Sequence, residues 1–442
     1  MMKKGLTTFA AKMLFLMATI SIISCSRAEM DTADVLNEKT AKEDIRAAKF
    51  TRAMQTARDA ARLLDGESVT RAEHDRQIDK NKIKFIVADN ATRSDAEPDT
   101  LMYVFNYMDN AGFAVVSAVG ESGEMLAVTE QGHFNSMEEI ENDGFRFFME
   151  AATVYTDSLR WAEKDATRGG GQTGPEIIIL DSVAIDTTII TLSPRITVRW
   201  DQKCPYNAFC PYDGPTQCPV GCVAVAVGQI LSYFEYPTYW TLTYASGNPT
   251  ISVNWSVLKE SCTSCTSTTL CSAHLPIAQI LRQIGKDISM NYGANGSIAG
   301  FPKTKKALND MGYSTSNVQT YSSSGAWSSI RSGQMVLVGG SRIDDDGNTV
   351  GHSWVIDGYK EIVYTFYEYT KPQDMLSWLY VGSFTRTSEY IHINWGWKGD
   401  CNGYFYNNGV FKTYEGSYDA GCTHYTHRNY NLNLKMISNI HR

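Results

Sequence analysis

The sequence carries no concentrated basic block beyond its first few residues, and its formal net charge over 442 residues is −8. Nucleic-acid binding normally needs a concentrated positive face, so that class of partner is disfavoured. Repeats of solenoid length are absent, which removes the stacked architectures. Zinc is disfavoured as well: Cys262-x-x-Cys265 has the spacing of half a site, but no second close pair with a matching histidine completes it. Neither a metal nor a cofactor is expected. What remains is ordinary for a globular chain, 43% hydrophobic and 20% charged. The length exceeds what one hydrophobic core usually serves, so two domains are expected.

Lys3 and Lys4 precede a mostly apolar run over 14–23, which ends in Ile-Ile-Ser-Cys at Cys25. The run is too short to span a membrane and reads as a signal peptide. The position of Cys25 suggests a lipoprotein signal, in which that cysteine is lipidated and becomes the mature N-terminus. Membrane contact is then expected only through this anchor. Ten cysteines are present. Setting aside Cys25 and the candidate nucleophile Cys222 leaves eight, enough in an exported chain for up to four disulfides of undetermined connectivity.

Residues 30–165 read as a compact α+β unit with no catalytic constellation of its own. Helices are expected near 41–53, 54–64 and 136–162, and strands at 82–88, 101–107, 112–117 and 123–129. The run Arg168-Gly-Gly-Gly-Gln-Thr-Gly-Pro175 is the clearest linker and a natural site of proteolysis. Self-processing is expected within 166–182. From residue 177 the character changes to few charges, many aromatics and glycines, and nearly all the cysteines. Helices are expected at 222–236, 275–284 and 304–311. Strands are expected at 335–338, 352–356 and 390–394, with a hairpin within 358–390.

Residues 218–236 organise the second half. After Cys222, apolar residues recur at Val223, Ala226, Val227, Ile230, Leu231 and Phe234, one face of a helix that Pro237 stops. Cys222 therefore falls in the first turn, where unpaired N–H groups and the positive end of the dipole favour a thiolate. Such a nucleophile needs a base. His352 stands 130 positions on (352 − 222), at the start of the strand Gly351-His-Ser-Trp-Val-Ile-Asp-Gly358. His392, mid-strand and less open to substrate, is its main competitor. Asn394, which ends the strand Tyr390-Ile-His-Ile-Asn, can accept from a ring N–H, and Trp395 can shield the pair from water. For the oxyanion, the Cys222 backbone N–H supplies one donor and the Gln202 side-chain amide a second.

Four pieces recur in order: Trp200-x-Gln202 with Pro205-Tyr206-Asn207; Gly221-Cys222-Val-Ala-Val-Ala-x-x-Gln229-Ile230 leading to Tyr236-Pro237; Gly351-His352-x-x-Val355-Ile356-Asp357-Gly358; and Ile393-Asn394-Trp395-Gly396-Trp397-x-Gly399 with Gly403-Tyr404. Together they resemble the streptopain family of papain-like cysteine peptidases. The stretch 104–118 is similar to the family's inhibitory propeptide.

The resemblance implies an α+β fold. A papain-like catalytic domain, with a helical subdomain carrying the nucleophile and an antiparallel β-sheet subdomain, follows a small α+β propeptide domain. The expected division is 1–25 signal peptide, 26–176 propeptide and 177–442 peptidase. It also implies an exported cysteine endopeptidase made as a zymogen, secreted or held at the cell surface or outer membrane. Its partners would be polypeptide substrates and its own propeptide, which folds against the catalytic domain as an intramolecular inhibitor and displaces the active-site histidine. By position, Cys222 would be nucleophile, His352 base and acid, Gln202 oxyanion donor, and Asn394 and Trp395 supports. Gly351 and the Gly296-Ser297 region would contact substrate, with an apolar residue two places before the cut.

Three departures stand out: the extra cysteines, an insertion between Tyr359 and Tyr390, and the loop 262–271. They bear on specificity more than on chemistry. The competing expectation is a surface-anchored binding or adhesion protein on a protease-like scaffold. The complete Cys/His/Asn/Gln set argues for catalysis, because a binder has no physical need of all four.

Overall fold

The structure, a computed structural model, describes residues 32–65, 76–88, 99–120, 123–168, 181–259, 275–343, 347, 349–370, 379–407, 409–411 and 433–442. Cys25, most of the linker, the loop carrying Cys262, Cys265 and Cys271, and Cys422 lie outside these residues. The expected lipid anchor, most of the expected cleavage window and any pairing of those cysteines therefore lie outside them too. The chain falls into two compact units, Met1–Ala48 and Lys49–Arg442. Of the first, only the beginning of helix α1 (Thr32–Asp65) is described. The second holds the rest of α1 and every other described element.

One continuous helix, α1, replaces the two expected there. No glycine or proline interrupts its run of alanines and long polar residues, so nothing local breaks it. Ala53, Ala57, Ala60 and Ala61 form its buried stripe, and the Tyr107 hydroxyl donates to the Ala57 carbonyl at 2.7 Å. Strands β1 (Ile78–Val87), β2 (Thr100–Tyr107), β3 (Phe113–Ser117) and β4 (Met125–Thr129) form an antiparallel meander.

Helix α2 (Asp143–Arg168) starts seven residues later than the pattern suggested. Asn142 caps it, its Oδ1 accepting from the Phe145 N–H at 3.0 Å. Phe145, Phe148, Met149 and Ala152 are all but fully buried at i, i+3, i+4 and i+7.

Strand β5 (Asp181–Leu192) comes after α2, then a small hairpin of β6 (Tyr212–Asp213) and β7 (Thr216–Gln217). Helix α3 (Cys222–Phe234) is next. Strands β8 (Tyr239–Thr241) and β9 (Thr250–Ser252) pair, ahead of helices α4 (Trp255–Leu258), α5 (Leu275–Asp287) and α6 (Phe301–Asp310). The rest is β10 (Gln319–Thr320), α7 (Ser323–Arg331), β11 (Met335–Ile343), β12 (Thr349–Thr370), β13 (Leu379–Asn394), β14 (Gly403–Tyr406) and β15 (Asn433–Ile440).

A single antiparallel sheet of eleven strands runs β1-β2-β3-β4-β14-β13-β12-β11-β15-β10, with β5 paired to β12. The N-terminal meander joins the second half at its edge: Thr129, Val128 and Ala127 of β4 pair with Gly403, Tyr404 and Phe405 of β14.

Successive residues of the central strands point to opposite faces, as β geometry requires. Val336, Val338, Trp354 and Ile356 join a core with Phe145, Phe148 and Phe405. Leu337 and Val355 join a second core with Val223, Ile230 and Leu281. Helix α2 therefore covers one face of the sheet and α3 with α5 covers the other. Each fully buried phenylalanine of α2 contributes about 2–3 kcal/mol by leaving water.

The insertion between Tyr359 and Tyr390 is an extension of β12 and β13, with β5 as a third strand: Tyr359–Tyr369 pairs with Leu192–Asp181 on one side and Ile391–Tyr380 on the other. The sequence pattern broke β12 at Gly358, where the pairing only shifts register.

Candidate active site

Helix α3 begins at Cys222 because Gly221 turns the chain sharply ahead of it. Gly221 has φ +92°, a conformation only glycine adopts without strain. A Cβ there would lie 2.6 Å from Met290 Cε and 2.9 Å from the Ser297 carbonyl oxygen. The Gly221 carbonyl accepts from the Ala224 and Val225 N–H groups at 3.1 and 3.2 Å, so the first turn closes around the half-buried cysteine.

The residues placed around the sulfur come from distant parts of the chain. His352, near the start of β12, faces Cys222 closely enough for each to shift the other's titration, and is 3% exposed. Burial alone pushes the Cys222 thiol up, but the His352 hydrogen bond and charge, with contacts from Ser353, outweigh it and hold the thiol below its usual range. Burial depresses His352, but the Cys222 contact, the Trp395 carbonyl and the charge of Asp143 carry it above the usual imidazole range. The opposite shifts share a cause: each group's charged form is stabilised by the other.

The second imidazole contact fixes the ring. Nε2 donates to the Trp395 carbonyl at 2.8 Å, which leaves Nδ1 for the sulfur. The acceptor is thus the backbone of Trp395, and the hydrogen bonds of the Asn394 side chain go elsewhere. Asn394 Oδ1 accepts from Gln229 Nε2 at 2.8 Å and from the Gly396 N–H at 3.1 Å, while its Nδ2 donates to the Val198 carbonyl at 3.0 Å. Trp395 is 1% exposed, its indole N–H donating to the Cys401 carbonyl at 3.0 Å and its ring centroid 6.4 Å from that of His352.

Gln202 lies beside the helix start: its carbonyl accepts from the Val220 N–H at 2.8 Å, two residues before Cys222. Ser297 is buried and its hydroxyl donates to the Pro219 carbonyl at 2.7 Å, next to the same turn. Gly351 is exposed, immediately before His352. His392, the competing base, belongs elsewhere: its Nδ1 meets Asp357 Oδ1 at 2.6 Å and its Nε2 faces Glu130 Oε1 at 3.3 Å. Cys204, Cys210, Cys218, Cys222 and Cys401 carry free thiols, and no disulfide joins any of the described cysteines.

The N-terminal half covers this site. Asn142 Nδ2 donates to the Asp400 carbonyl at 3.0 Å, Gln131 Nε2 to the Lys398 carbonyl at 3.2 Å, and the Glu130 N–H to the Asn402 carbonyl at 2.8 Å. Gly144, in the first turn of α2, lies against His352 and Trp395 with no room for a Cβ. Phe147 occupies the space a Cβ on Gly340 would need, 2.7 Å from its Cε1. Arg342 Nη2 donates to Glu150 Oε1 at 2.8 Å across the same boundary. The covering segment does not displace the histidine, as the family resemblance suggested. It closes over an imidazole that still faces the sulfur.

Sequence reasoning gave no role to Ser353, Gln229, Glu130, Asp357 or residues 142–144. Gln229 did carry a signal, a lone amide on the otherwise apolar stretch of α3, seven residues after Cys222.

A model of the peptidase C10 family matches residues 200–405, and a model of the Spi protease inhibitor matches residues 36–155. Streptopain of Streptococcus pyogenes (serotype M28) is 25% identical over 346 residues, 69% of this chain and 73% of that protein. The thiol protease/hemagglutinin PrtT of Porphyromonas gingivalis is 24% identical over 341 residues, 70% of this chain and 34% of that protein. A mutant prointerpain A fragment of Prevotella intermedia aligns in structure with a TM-score of 0.48 and 20% identity, over 78% of this chain and 98% of that one. With the peptidase match spanning the helix of Cys222 and the strands of His352 and Asn394, and the inhibitor match spanning the segment that covers them, this chain belongs to the peptidase C10 family of papain-like cysteine peptidases and is a zymogen with its inhibitor-type domain in the same chain.

Proposed function

We propose that the chain is an exported endopeptidase in which Cys222 is the nucleophile and His352 the base and acid. Their close approach in the fold, with the thiol shifted down and the imidazole up, is the observation that carries this reading. A thiolate–imidazolium pair attacks at the sulfur and keeps a proton ready for the leaving amine. The thiolate adds to the scissile carbonyl. The resulting oxyanion takes hydrogen bonds from the Cys222 N–H, at the start of α3, and from the Gln202 side-chain amide. His352 then protonates the departing amine, leaving an acyl-enzyme. Water, deprotonated by His352, hydrolyses the thioester, releases the acid and returns the thiolate–imidazolium pair. Trp395 holds the imidazole through its carbonyl, and Asn394 supports that carbonyl from the preceding position. Gly351 and Ser297 border the groove in which the peptide would lie, with an apolar residue two places before the cut.

The domain division rests on the same reading: 1–25 a signal peptide with Cys25 lipidated, 26–176 the propeptide, and 177–442 the peptidase, released by cleavage within 166–182. The inhibitor match and the packing of residues 130–150 over His352 support a propeptide acting within its own chain. The test is peptidase activity of the matured wild type beside Cys222→Ala. Loss of activity in a folded Cys222→Ala protein supports the assignment; a fully active one removes it.

A further inference from the structure

Gln229 has no place in the chemistry above, yet it is wholly buried on the nucleophile's own helix, two turns after Cys222. Its surroundings fix the orientation of two amides without ambiguity. The Gly396 N–H can only donate, so the atom of Asn394 it meets is Oδ1. The Val198 carbonyl can only accept, so the atom it meets is Nδ2. Asn394 thus presents an oxygen to Gln229, and Gln229 must offer its NH2. The remaining atom, Gln229 Oε1, is buried with no partner. An orphaned buried acceptor is costly, and an apolar residue of similar shape would avoid that cost. The sequence keeps a polar group here although stability alone argues against it.

We propose that Gln229 is a positioning residue for catalysis. It ties the helix that carries Cys222 to the segment 394–396, and so fixes the Trp395 carbonyl on which the His352 ring is held. The inference rests on the reading of Cys222 and His352 as the reacting pair. The link is continuous: Gln229 Nε2 to Asn394 Oδ1 at 2.8 Å, Asn394 Oδ1 to the Gly396 N–H at 3.1 Å on the far side of Trp395, and the Trp395 carbonyl to His352 Nε2 at 2.8 Å. One side chain thereby bridges the helix of Cys222 and the segment that holds the His352 ring, and sets the distance between nucleophile and base. Without it the carbonyl drifts, the imidazolium loses a fixed acceptor, and its proton is held less firmly.

The experiment uses the full chain, produced as zymogen and matured with an added protease, as wild type, Gln229→Met, Gln229→Glu and Cys222→Ala. Thermal unfolding is recorded for each. Gln229→Met should keep KM, lose about 10- to 100-fold in kcat, and move the alkaline limb of kcat/KM to lower pH by about one unit. Gln229→Glu can donate to Asn394 only while its carboxyl is protonated. Its kcat should approach wild type on the acid side and fall as that group ionises, a transition the wild type lacks. A purely structural role would lower the unfolding temperature and the active fraction without moving either limb. Unchanged kcat and limbs in both variants overturn the proposal, and so does a loss that tracks unfolding temperature alone. If Gln229→Met does not fold, Gln229→Glu at acid pH must still be folded and active; failure of both at every pH makes Gln229 a stability residue and also overturns it. An active Cys222→Ala protein overturns the underlying assignment instead, while an inactive one beside unaltered Gln229 variants overturns only the positioning role.

Discussion

Gly144 lies so close to His352 that a Cβ at that position would stand 2.5 Å from the imidazole Cδ2. The inhibitor-type domain therefore closes over His352, the proposed base, with bare backbone at Gly144. On the proposed reading, the Cys222–His352 pair stays assembled beneath this cover, and removing the cover is enough to activate it.

Replacing Gly144 with leucine should lift the first turn of α2 from His352 and Trp395. Overpacking at a filled site costs about 1–3 kcal/mol, so Cys222 of the intact zymogen should react with an epoxide thiol reagent roughly 5- to 100-fold faster than in wild type. The check is the labelling rate of the uncleaved chain. An unchanged rate would mean that Gly144 does not shield the pair.

The pH dependence of activity is set by the two shifts in the pair. The Cys222 thiol is lowered, so the thiolate forms before the ordinary thiol range as pH rises. The His352 imidazole is raised, so the imidazolium persists above the ordinary imidazole range. Activity should occupy the window between, lost on the acid side as the sulfur gains a proton and on the alkaline side as the ring loses one. In His352→Ala, burial acts on the thiol with only the Ser353 contacts against it. Alkylation of Cys222 near neutral pH should then slow, with the rate rising only in the alkaline range. A rate profile that His352→Ala leaves in place would contradict the pairing.

His392 offers a separate, stabilising pH dependence. It is buried between Asp357 of β12 and Glu130 of the inhibitor-type domain, with the Tyr404 ring 5.1 Å away and Lys360 over that ring. Burial opposes its charge, but Asp357 and Glu130 prevail and carry its pKa to about 9. A raised pKa contributes stability that is fully present below the unfolded value near 6.5 and is lost as pH rises through about 9. The loss should be on the order of 3 kcal/mol in the intact zymogen. Glu130, lowered chiefly by its hydrogen bond to His392, contributes above the ordinary carboxylate range, and that part fades in acid. Denaturant unfolding of the zymogen between pH 6 and 10 should show the alkaline decline in wild type and much less of it in His392→Asn. Equal slopes in the two would contradict the role of this cluster.

Gly221→Ala tests the turn before the nucleophile. The φ of +92° and the nearby Ser297 carbonyl leave no relaxed place for a methyl group. Strain of this kind costs about 1–3 kcal/mol. The unfolding temperature should fall, and kcat should fall further than stability alone requires, because the displaced turn carries the Cys222 N–H. An alanine variant with wild-type kcat would show that this turn does not position the nucleophile.

Local patterns foretold local structure. Helix α3 was legible because its apolar residues repeat with helical period and Pro237 offers no N–H to continue it. The motifs single out Cys222 and His352, and the fold brings the two together. Other features depend on contacts that no short window contains. Strand β5 has its partner some 170 residues away in β12, so nothing nearby marks it as a strand. The Glu130–His392–Asp357 cluster assembles from three separated segments. Asn394 sits where the alternation of Tyr390-Ile-His-Ile-Asn suggests. Its amide is nonetheless claimed by Gln229, Gly396 and Val198, and the imidazole takes the next carbonyl instead. Hydrogen-bond competition of that kind is decided in the folded core and leaves little trace in residue order.

The most direct measurement is to react the matured enzyme with a peptidyl epoxide and locate the adduct by mass spectrometry while following activity. Modification of Cys222 alone, one label per molecule and in proportion to lost activity, is the expected result. Complete inactivation with Cys222 unlabelled, or full labelling of Cys222 with activity intact, would contradict the assignment of that sulfur as the nucleophile.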